Sequence, residues 1–86
     1  MLRKKQRYFF EVSSRETGKT IEIFSLSGYG LNAEKVDEIS KFYFLWHYSY
    51  NAIFKQLKKG ADGMRYIRTI PIDKRKKIEI EKYMLL

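Results

Sequence analysis

The run from Ala33 to Lys59, AEKVDEISKFYFLWHYSYNAIFKQLKK, contains neither glycine nor proline. Its residues Val36, Ile39, Tyr43, Trp46, Tyr50, Ile53 and Leu57 recur at spacings of three and four. That period predicts one long amphipathic helix with these seven side chains on its buried face. Asn32 is placed to cap its start, with Glu34, Asp37 and Glu38 in the first turns. Gly60 is placed to stop it, and Lys55, Lys58 and Lys59 complement the negative end of its dipole.

The segments on either side read as strands. Tyr8–Ser14 and Thr20–Leu26 alternate apolar and polar residues, and Arg15–Lys19 between them is polar with one glycine. Together they predict a β-hairpin. Ser27–Leu31 breaks the pattern, with Gly28 and Gly30 letting the chain turn toward the helix. After the turn Gly60-Ala61-Asp62-Gly63, Met64–Ile72 reads as a third strand, with Pro71 favouring an edge or a strand end. The tail is readable two ways. Asp73 is a helix cap with Arg75–Glu79 and Lys77–Glu81 as i,i+4 pairs, whereas Ile78-Glu79-Ile80-Glu81 alternates like a strand. The strand is the preferred of the two. The expected fold is α+β in the order β-β-α-β-β, an antiparallel sheet packed against one long helix.

With 86 residues there is room for one domain, residues 1–86, and one core, with residues 1–6 as a basic N-terminal arm. The absence of cysteine excludes disulfides, thiolate zinc sites and a cysteine nucleophile, and favours a reducing compartment. Met1-Leu2-Arg3-Lys4-Lys5 resembles the start of an export signal, but Gln6–Glu11 never becomes an apolar run. The densest apolar stretch, Phe42–Tyr50, falls far short of the roughly 20 residues of a membrane span. A cytoplasmic protein without membrane contact is expected.

The net charge of +8 is unevenly spread. Residues 1–7 carry four cations and no acid; residues 8–54 carry four cations and six acids; residues 55–77 carry nine cations and two acids. A field of that kind attracts a polyanion. Arg3, Lys4, Lys5 and Arg7, with Lys74, Arg75, Lys76 and Lys77, are therefore candidate phosphate contacts. Arg65 and Arg68, interleaved with Tyr66, add contacts and a stacking surface. Lys55, Lys58 and Lys59 are set aside from the phosphate contacts as helix-end charges.

A second surface is expected on the helix. Seven of the fourteen aromatic residues lie between Phe42 and Phe54. With Trp46 at the centre of the buried face, Phe44 and Tyr48 fall about 160° away, beside Lys41, Asn51 and Lys55. These five form a candidate protein interface, either for a second copy of the chain or for another protein.

His47 is the only histidine and has no cysteine or second histidine to share a metal. Ser27-Gly28-Tyr29-Gly30 lacks the third glycine of a dinucleotide fingerprint, and Gly18-Lys19-Thr20 lacks the upstream glycine of a P-loop. No cofactor, metal or catalytic set is expected. The preferred reading is a non-catalytic protein that binds DNA or RNA through its Lys and Arg residues. One alternative is an inhibitor or adaptor of phage or mobile-element type, docking on an acidic protein surface through the aromatic helix face. Another is a small toxin-type ribonuclease using Arg65, Tyr66 and Arg68.

Overall fold

The computed structural model describes residues 4–48, 51–75, 78, 79 and 82. The fold is α+β. Strands β1 (Gln6–Ser14) and β2 (Thr20–Gly28) precede helix α1 (Ala33–His47), which is followed by β3 (Ala52–Gly60) and β4 (Gly63–Thr69). The four strands form one antiparallel sheet in the spatial order β2-β1-β3-β4. The element string matches the expected one, but its second half is built from different residues.

The expected helix over 33–59 is replaced by a helix that ends at His47 and a strand that begins at Ala52. Tyr48 has extended backbone, φ −129° and ψ 154°, and its N–H closes the last turn on the Phe44 carbonyl. The reason is tertiary. Strand β1 needs a second neighbour, and β3 supplies it, with Phe54 opposite Val12 and Ala52 opposite Ser14. Phe54 stacks on Phe10 at 5.4 Å, a contact that no continuing helix would make. Ile53 and Leu57 fit a period of two as well as a period of four, and pairing decides between the two.

The shortened helix also presents a different face. Val36, Ser40 and Phe44 point inward, a stripe turned roughly a quarter turn from the expected one. Phe44 is 1% exposed, whereas Trp46, expected at the centre of the buried face, is 42% exposed. Phe44 stacks on Phe54 at 4.9 Å. Ser40 is small enough to let the helix approach the sheet, and its hydroxyl donates to the Asp37 carbonyl at 3.1 Å. The core comprises Phe10, Val12, Val36, Phe44, Ala52, Phe54 and Ile70, with Phe24, Leu26, Leu31 and Ile72 packed at its margin.

The hairpin, the cap and the turns are as the sequence predicts. The Asn32 side chain accepts from the Lys35 N–H at 2.8 Å. Gly30, at φ +67°, turns the chain from β2 into α1, and Gly63, at φ +114°, closes the β3–β4 hairpin. Gly60 ends a strand instead of a helix, so Lys55, Lys58 and Lys59 are strand residues rather than helix-end charges. The expected third strand over 64–72 is the fourth, and it ends at Thr69. In the tail, Lys74, Arg75, Ile78, Glu79 and Lys82 have helical backbone, so the strand preferred for this segment does not form there. No helix among the described residues is long and apolar enough to cross a membrane.

Candidate functional site

Alternation along paired strands gives the sheet two faces. Phe10, Val12, Phe24 and Phe54 face α1. On the other face, Phe9 of β1, Leu57 of β3 and Tyr66 of β4 stand opposite one another in a single row across three strands. Phe9 and Tyr66 are two strand spacings apart, about 10 Å. The Tyr66 hydroxyl lies 3.0 Å from Thr69 Oγ1 on this same face. Two residues along from Phe9 and Leu57, Arg7 and Lys59 share the face, Lys59 opposite Met64.

Antiparallel pairing sets where the charges meet. Because β1 runs against β3, the start of β1 lies at the same end of the sheet as the β3–β4 hairpin. Lys4, Lys5 and Arg7 are brought to the end that carries Lys58, Lys59 and Arg65, all six exposed. The two segments hold one acid, Asp62, whose carboxylate lies 3.5 Å from Arg65. Both partners of that pair are so exposed that the contact costs the arginine little of its availability. Residues Lys58 and Lys59 are additions to the expected set. Their place on a strand is the signal that a helical reading of the segment hides.

Other expected residues lie elsewhere. Arg3, Lys76 and Lys77 fall outside the described residues. Lys74 lines a cavity with Arg15, Ala52 and Ile70, at the opposite end of the sheet from Lys59. Arg75 follows one residue later, its backbone N–H donating to Asp73. Among the described residues, the expected basic positions are therefore divided between two ends of the sheet. Arg68 is engaged internally: its guanidinium donates to Asp37 at 2.7 Å and to Gln56 at 3.0 Å, on the helix-covered face. Tyr66 and Arg68 thus point to opposite faces, and the trio Arg65, Tyr66 and Arg68 does not converge as a ribonuclease site requires.

The five residues of the expected protein interface do not share one surface. Phe44 is core, because the quarter turn carries it inward. Tyr48 is half-buried and donates its hydroxyl to Glu22. Lys41 pairs with Asp37 at 2.9 Å, and Lys55 with Glu11 at 3.7 Å across β1 and β3. Asn51 accepts from the Arg15 N–H at 2.7 Å through its carbonyl. The five residues belong to three different parts of the fold.

Two polar clips explain the helix rotation. On one flank, Glu22 of β2 accepts the hydroxyls of Tyr43, at 2.8 Å, and Tyr48. The hydrogen bond to Glu22, with burial and the nearby negative charge, pushes the Tyr43 phenol above its usual value. On the other flank, Asp37 holds Arg68 and Lys41. Burial raises the Asp37 pKa, but its hydrogen bonds to Lys41 and Arg68 and their charges outweigh that and hold it below the usual carboxylate range. A depressed folded pKa gives stability that is present above the unfolded value, about 4, and is lost as pH falls through the folded value. For this partly exposed cluster the amount is of order 0.5–1 kcal/mol. Urea unfolding at pH 7 and pH 3 is expected to show a smaller loss in Asp37→Asn than in the parent. An unchanged acid dependence in that variant would remove Asp37 from the helix clip.

His47 is exposed, and its ring lies tilted against that of Tyr43 at 4.5 Å. No cluster of potential metal ligands occurs among the described residues. Comparison with protein-family models, with curated proteins and with solved structures finds no match.

Proposed function

We propose that this protein binds nucleic acid without acting on it catalytically, and that the strand it takes is single. The carrying observation is the meeting of Lys4, Lys5, Arg7, Lys58, Lys59 and Arg65 at one end of a sheet whose outer face carries the exposed ring of Tyr66, in a row with buried Leu57 and half-buried Phe9. Clustered cations bind a phosphate backbone by releasing its condensed counterions. The exposed Tyr66 ring beside them accepts an unpaired base, a stack worth about 1–3 kcal/mol and tolerant of sequence. Paired bases present no free ring face to Tyr66, so a duplex uses the cations alone.

The test is anisotropy of a labelled single-stranded oligonucleotide. Saturable binding is expected at about 50 mM salt, weaker for the matching duplex. If all six cations neutralise phosphates, log K falls with log salt at a slope of about −4, so affinity drops roughly 300-fold between about 50 and 200 mM. Tyr66→Ala is expected to cost the single strand about tenfold and the duplex little. A flat salt response, or no binding at low salt, refutes the reading.

A further inference from the structure

Three rows of side chains cross the outer face of the sheet. In the row nearest the β3–β4 hairpin, Ser27 of β2 stands opposite Arg7 of β1, and Lys59 of β3 stands opposite Met64 of β4. In the middle row Ser25, Phe9, Leu57 and Tyr66 lie abreast across all four strands. The third row, farther from the hairpin, is Ile23, Glu11, Lys55 and Thr69. Strand β2 therefore adds two exposed hydroxyls, Ser25 and Ser27, beside the basic end, with exposed Ile23 beyond them.

Charge gives this face a direction. The first two rows hold the cations Arg7 and Lys59 and no acid. The third holds the Glu11 carboxylate, which accepts the Thr20 hydroxyl at 2.8 Å and lies 3.7 Å from Lys55. A polyanion laid along the β-strands leaves the basic end and passes over Glu11, where the one nearby cation is already paired. Laid across them it stays on the two rows without an acid. It meets Lys59 and Arg7 in turn and then Ser27, whose hydroxyl is a donor for a phosphate oxygen. The one charge of β2, Glu22, is turned to the helix side and held by Tyr43 and Tyr48, so it does not oppose this path. Four strands measure about 14 Å across, the reach of a segment of about four nucleotides, at the short end of single-strand sites.

We propose that a bound single strand crosses the sheet from β4 to β2, at right angles to the β-strands, with a base on Tyr66 and a phosphate oxygen accepting from the Ser27 hydroxyl beside Arg7. This rests on the nucleic-acid reading and adds to it the orientation of the strand and a contact on β2. Ser27 carries no charge, so neither composition nor the uneven spread of cations points to it. Its register opposite Arg7 does.

The experiment is anisotropy of a labelled single-stranded oligonucleotide with the full chain and four variants, from about 50 mM salt upward. Ser27→Ala leaves the net charge unchanged and is expected to weaken binding about threefold. Ser27→Lys is expected to tighten binding by at least about threefold and to steepen the salt slope by about 0.7, the increment of one more phosphate contact on a single strand. Ile23→Lys adds the same charge to the same strand and face, beyond the rows without an acid. It is expected to change affinity by about twofold or less and to leave the slope as it is. Lys55→Gln is expected to cost about twofold or less, since Lys55 lies off the path. Circular dichroism checks that all four variants keep the fold. Three results overturn the crosswise path while leaving the nucleic-acid reading in place, given a parent that binds with the expected salt slope. They are an unaffected Ser27→Ala, an Ile23→Lys that matches Ser27→Lys, and a Lys55→Gln that costs more than Ser27→Ala. A parent that does not bind overturns both.

Discussion

Phe44→Ala is expected to bring the chain close to unfolding at room temperature. The side chain is 1% exposed and packs on Phe54 at 4.9 Å and Tyr48 at 5.6 Å. Its removal leaves a cavity where helix and sheet meet, at a cost of about 3–5 kcal/mol. Small domains have of order 5–10 kcal/mol in total, so the change consumes much of the reserve. The partner measurement is Trp46→Ala, a residue 42% exposed. Its cost is expected to be about 1 kcal/mol or less. Urea unfolding followed by circular dichroism gives both values. The reverse ranking would restore the helix face read from periodicity and remove the quarter turn.

The second large effect is on nucleic-acid affinity, and it locates the site. Arg7→Glu combined with Lys59→Glu reverses two charges at the end where β1 starts and β3 finishes. Each reversal removes a phosphate contact and adds a repulsive charge. Together they are expected to lower affinity for a single-stranded oligonucleotide by about 30-fold at 50 mM salt, and to make the salt slope shallower by about one to two. Lys74→Glu with Arg75→Glu makes the same change in net charge at the other end of the sheet. A loss of about threefold or less is expected there, from the long-range field alone. Equal losses in the two double variants would mean that overall charge, not the basic end with its aromatic row, sets affinity. All four positions are exposed, so neither double variant is expected to shift the unfolding midpoint appreciably.

Much of the architecture was legible where the signals are local. The alternation of Tyr8–Ser14 and Thr20–Leu26 gave the first hairpin, the Asn32 side chain capped the helix, and residues 60–63 formed a turn, because each depends on residues within a few positions. The concentration of positive charge was legible as well, since composition needs no coordinates. The helix length and face were not. Tyr50, Ile53 and Leu57 extend a period near 3.6 by coincidence, and only the need of β1 for a neighbour converts them to strand. Lys58 and Lys59 were lost from the expected site for the same reason.

By itself the sequence determined the α+β class, the first hairpin, the helix start and the surplus of cations. Tertiary structure alone decided where the helix ends, which face it buries and which cations share an end of the sheet. The contacts responsible join residues far apart in the chain: Tyr43 and Tyr48 reach back 21 and 26 positions to Glu22, and Arg68 reaches back 31 positions to Asp37. Local preferences are properties of neighbouring residues, but the rotation of a helix is set by partners on strands before and after it. Those partners face one another only once the sheet has paired.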